Sequence, residues 1–114
     1  MKKELGRENY LERKPMPSET ISWKVEEDRV IIMVENKGVW HKLAQKLLNK
    51  PKVSYIHLDR FGSFVFREMD GEKTILEIGK RVEAFFGEEA NPLYERLATF
   101  CAQLESYGFI SFAA

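Results

Sequence analysis

The chain has 114 residues, 44% of them apolar, which suffices for one hydrophobic core and not for two. Eighteen basic residues balance eighteen acidic ones, and this zero net charge removes the electrostatic drive expected of a protein whose main ligand is nucleic acid or anionic lipid. Cys101 is the one cysteine, so there is no internal disulfide framework, and neither an apolar signal region nor a run of about 18 apolar residues occurs; a cytoplasmic address is expected.

Residues 1–19 mix charges with Pro15 and Pro17 and lack an apolar period. They read as an arm, which Tyr10 and Leu11 could dock, ahead of a domain over 20–114. From Thr20 the period is two. Ile21, Trp23 and Val25 alternate with polar neighbours, Glu27 and Asp28 form a polar turn, and Val30, Ile32 and Val34 give a second strand that pairs with the first as a hairpin. Val39, Trp40, Leu43, Ala44, Leu47 and Leu48 then follow a helical period that stops at Asn49-Lys50-Pro51. A third strand follows over Val53–Leu58, with Ile56 and Leu58 on one face and Val53, Tyr55 and His57 on the other.

Asp59 can cap a helix whose apolar positions are Phe61, Phe64, Val65 and Met69, ended by Asp70-Gly71. Thr74 and Glu77 have the spacing of a capping box and open a second helix, which buries Ile75, Ile78, Val82 and Phe85 or Phe86 and ends near Gly87. Asn91 before Pro92 places a preferred cap ahead of a proline at the first helical position. The third helix then carries Leu93, Leu97, Phe100, Cys101 and Leu104 inward, and Gly108 stops it before an extended piece over Phe109–Phe112. The expected fold is α+β and winged-helix-like: a three-stranded antiparallel sheet followed by three helices, with an extra helix over 39–49 between the second and third strands.

Catalytic constellations are not found. His41, His57 and Cys101 lack the spacing of a structural zinc site, so no metal or cofactor is expected. Ser63 lacks the strand-turn-helix glycine pattern that exposes a hydrolase serine, and a surface pairing suits His57 and Asp59 better than an acid–base dyad does. Cys101 on an inner helix face reads as a structural thiol.

The run LDRFGSFVFREMDGEKTILEIGKRVEAFFG, followed by a helix ending LESYGFI, resembles the PqqD family of small peptide-binding proteins, the leader-peptide recognition elements of ribosomal peptide maturation. The resemblance covers about residues 20–112 and is strongest from Leu58 to Gly87. It implies a non-catalytic adaptor that takes a precursor's leader as an added strand against the third strand, in a groove walled by the last helix, and presents it to a modifying enzyme, in the namesake pathway a radical S-adenosylmethionine protein. Carried onto this chain, Val53, Ser54, Tyr55, Ile56 and His57 would pair with the peptide, Leu97, Phe100 and Leu104 would line the wall, and Arg96 and Gln103 would anchor its rim. An added strand is physically reasonable, because an unpaired strand edge offers main-chain groups for affinity and side-chain pockets for selectivity.

The helix over 39–49 departs from the family pattern. It could enlarge the core, cover part of the sheet, contact a partner enzyme, or mediate homodimerisation through Trp40. The arm could itself occupy the strand edge. Two further classes remain open, a winged-helix DNA-binding module and a non-catalytic oligomerisation module. DNA is the poorer fit: residues 92–107 hold Arg96 as their one basic residue against Glu95 and Glu105, and Lys80 and Arg81 are balanced by Glu77 and Glu83.

Overall fold

The computed structural model describes residues 10–35 and 53–114. In chain order these form β1 (Lys14–Pro17), β2 (Ser22–Glu26), β3 (Arg29–Glu35), β4 (Val53–His57), α1 (Arg60–Glu68), α2 (Ile75–Phe86), a 3-10 turn (Gly87–Ala90), α3 (Leu93–Ser106) and β5 (Ile110–Ala113). The helix expected over 39–49, with Trp40 and His41, lies outside the described residues.

The expected antiparallel sheet is present in the order β2-β3-β4. Glu27 and Asp28 turn the hairpin with φ of 50° and 64°, the left-handed pair that matches the twist of two strands joined by two residues. The register sets Trp23 opposite Ile32 and Val25 opposite Val30, and Ile56 opposite Ile32, so period-two alternation places these side chains on one face. That face meets the helices: Val30 and Ile32 are fully buried, and Trp23 sets its ring edge-on to Phe66 with centroids 5.1 Å apart.

A second sheet was not anticipated. β1 pairs antiparallel with β5, so the closing extended piece is a strand with its own partner, and the arm's described strand lies on β5 and not on β4. Ser18 N–H donates to Phe109 C=O at 2.9 Å in the same register. Hydrogen-bonded pairs alternate along an antiparallel ladder, so Pro15 and Pro17 fall where the ladder asks for no N–H, the positions a strand can give to proline. The outward side of β1 is also held, because Pro15 C=O accepts Gly71 N–H at 2.9 Å and Arg13 C=O accepts Ile75 N–H at 3.0 Å. Tyr10 and Leu11 pack against the core, and the Arg13 guanidinium lies 3.9 Å over the Phe112 ring.

The caps of α1 and α2 are those the sequence predicts. Asp59 accepts Gly62 N–H at 2.7 Å, and Thr74 and Glu77 exchange both bonds of a capping box. The buried stripe of α1 is rotated from expectation: Gly62, Ser63, Val65 and Phe66 face inward, while Phe61 and Phe64 are half-buried on its flank. Gly79 lets α2 approach α3 closely, since a Cβ there would meet Tyr94 at 2.6 Å and Leu97 at 2.9 Å. For α3 the expected cap is corrected by one position. Asn91 is extended and donates its N–H to Glu88 C=O, closing the 3-10 turn, so Pro92 takes the cap position with no side-chain capping bond. The end of α3 is a Schellman motif: Gly108, at φ 78°, donates to Glu105 C=O, and Phe109 donates to Leu104 C=O.

Candidate functional site

Among the described residues, β4 pairs with β3 alone. Which of its main-chain groups face outward follows from the ladder. Leu58 N–H donates to Val30 C=O at 2.9 Å in register with the strand pair. Alternation then assigns Ile56 and Ser54 to the hydrogen-bonded pairs and directs the N–H and C=O of Val53, Tyr55 and His57 away from β3. The hairpin gives the same parity from its other end. A two-residue turn makes Glu26 and Arg29 a hydrogen-bonded pair, so Ile31 and Met33 bond to β2 while Val30, Ile32 and Val34 are turned toward β4.

The side chains alternate with the same period. Ile56 joins the core layer, whereas Tyr55, opposite Met33, is 59% exposed, and His57, opposite Ile31, is exposed. The edge therefore combines outward main-chain groups with an apolar-aromatic face.

The expected wall on α3 is divided between surface and core. Leu97 and Leu104 are 0% and 4% exposed and belong to the core, so they offer a groove essentially no surface. Phe100 is half-buried, with its ring edge toward Phe61 at 6.4 Å, and it packs over Gly62, where a Cβ would stand 3.1 Å from the ring. Arg96 is engaged within the fold: its guanidinium lies 4.0 Å over Phe61 and donates to Glu89 C=O at 2.9 Å, tying α3 to the 3-10 turn. Gln103 is exposed.

A second surface went unnoticed in the sequence. Phe64 stacks on Phe85 with centroids 4.9 Å apart, Phe86 packs edge-on against both, and Arg60 leans over the Phe85 and Phe86 rings. With Asp28, Arg67 and Glu68 these residues line a cleft of about 450 Å³. The pair Phe85-Phe86 carried a signal, since one helical face cannot bury two adjacent phenylalanines.

The remaining chemistry is structural. Burial pushes the Cys101 thiol up to about 12, with Glu105 adding to the shift, which leaves it protonated and unreactive at neutral pH. The Asp70 carboxyl is held far below the usual range, first by the Lys73 ammonium and then by the amides of Lys73 and Glu72, and so pins the α1–α2 loop. Among the described residues no group of three His, Cys, Asp or Glu could hold a metal ion, and no helix is long and apolar enough to cross a membrane.

No curated protein and no solved structure matches the chain. The model of the family coenzyme PQQ synthesis protein D (PqqD) matches residues 45–110, a span that holds β4, α1, α2, α3 and the start of β5 and exceeds half of the chain, and the protein therefore belongs to the PqqD family.

Proposed function

We propose that the protein captures a precursor's leader peptide as a strand added to the outer edge of β4 and presents it to a modifying enzyme of the radical S-adenosylmethionine type. The PqqD family consists of non-catalytic accessory proteins that bind precursor peptides during peptide maturation, which supports peptide capture over catalysis. The observation that carries the edge is the parity of β4: Val53, Tyr55 and His57 direct their main-chain donors and acceptors away from β3. On this reading Ser54 and Ile56 keep β4 in the sheet, Phe100 and Gln103 border the groove from α3, Leu97 and Leu104 anchor that helix in the core, and Arg96 ties it to the 3-10 turn.

Two proline substitutions test this edge. Tyr55→Pro removes an outward N–H, which a sheet edge tolerates, and it should weaken binding of the cognate leader about tenfold or more in calorimetry while the fold survives. Ile56→Pro removes a donor to β3 and should lower stability itself. Full leader affinity in a folded Tyr55→Pro variant would refute strand addition at β4.

A further inference from the structure

The aromatic cleft beside α1 has no part in the β4 edge. It opens between α1, the last turn of α2 and the β2–β3 turn. Phe85 is 58% exposed even though it stacks on Phe64, so much of a large apolar ring is left in water. Its neighbours are cationic. Arg60 lies over Phe85 and Phe86, at 5.7 and 5.2 Å from the ring centroids, and forms no ion pair among the described residues. Arg67 forms no ion pair among the described residues. Glu68 is already committed to Arg81 and to Lys73, so Asp28 is the one lining carboxylate that faces these two guanidinium groups without an ion pair among the described residues.

We infer that this cleft docks an acidic segment of a partner protein, one that sets a carboxylate beside a large apolar side chain. The charge balance selects that chemistry: two arginine forks match carboxylates bidentately, and the stacked rings give the apolar side chain a floor. Arginine and aromatic residues are also the types enriched where protein surfaces meet. No residue of the cleft lies on β4, so the segment and an edge-bound peptide can be held together, and this inference stands whether or not β4 binds a leader.

The test is a titration of the full chain, observed by NMR, with two synthetic probes, acetyl-EDFLE-amide and acetyl-KKFLK-amide. The acidic probe should saturably shift the Arg60 and Arg67 Nε–H signals and the amides of residues 84–87, and the basic probe should not. Arg60→Glu with Arg67→Glu, and separately Phe85→Ser, should each weaken the acidic probe about tenfold; all three positions are exposed, and an unchanged circular dichroism spectrum confirms the fold. Equal shifts from both probes, or no saturation by about 10 mM, would overturn the inference, since Kd values beyond the millimolar range leave little binding energy. The same signals moving with protein concentration alone would also overturn it and assign the cleft to a second copy of the chain.

Discussion

Ser63 accepts the N–H of Val30 at 2.8 Å across 33 positions of sequence. The same hydroxyl donates to Leu58 C=O at 3.3 Å, so it bridges the place where β3 and β4 separate, beside the direct bond from Leu58 N–H to Val30 C=O. Ser63 is 1% exposed, and water cannot easily replace it there. Ser63→Ala should therefore cost about 1–3 kcal/mol by leaving a buried main-chain donor and acceptor without partners. Urea unfolding would show this as a lower midpoint at unchanged slope.

Gly79 offers a contest between two effects. Alanine is favoured over glycine inside a helix by about 1 kcal/mol, but its Cβ would press on Tyr94 and on the buried Leu97. Overpacking costs about 1–3 kcal/mol, so Gly79→Ala should lower the melting temperature, and Gly79→Val should lower it further.

The hairpin turn can be improved. Glu27 and Asp28 hold positive φ, which asparagine and glycine adopt at lower cost. Glu27→Asn with Asp28→Gly should raise stability by about 1 kcal/mol and the melting temperature by about 4 °C for a domain of this size, without altering the β4 edge.

Two carboxylates contribute to the acid limit, Asp70 in the α1–α2 loop and Glu77 in the first turn of α2. Asp70 is held below its ordinary range by Lys73 and two amides, and Glu77 by the Thr74 amide and then the Thr74 hydroxyl. A group whose folded-state value is depressed contributes fully above its unfolded value and loses that contribution as pH falls through the folded one. Stability should therefore drop from about pH 4.5 downward, and Asp70→Asn with Glu77→Gln should flatten that decline and lower stability at neutral pH. Urea midpoints taken across the acid range would check both.

Local signals were legible in the sequence where neighbouring residues alone determine them. The hairpin, the Asp59 cap, the Thr74–Glu77 box and the Gly108 stop each depend on residues a few positions apart. Features set by distant partners were not. Residues 1–19, with Pro15 and Pro17, read as an arm because the tolerance of prolines in β1 depends on the register with β5. The α1 stripe shifted toward Phe66 because Phe61 and Phe64 have partners on α2 and α3 that no spacing within α1 reveals. At the site, alternation placed Tyr55 on the outward face, but main-chain parity became readable only once β3 and β4 were in register. Leu97 and Leu104 share one helical stripe with the core, so the sequence did not separate groove from interior.

Residue-resolved amide hydrogen exchange, with and without the cognate leader, tests the strand edge most directly. Binding should slow exchange at Val53, Tyr55 and His57, while Ser54 and Ile56, bonded toward β3, stay protected throughout. Saturable binding that leaves those three amides unchanged, or protects another element in their place, would contradict capture on β4.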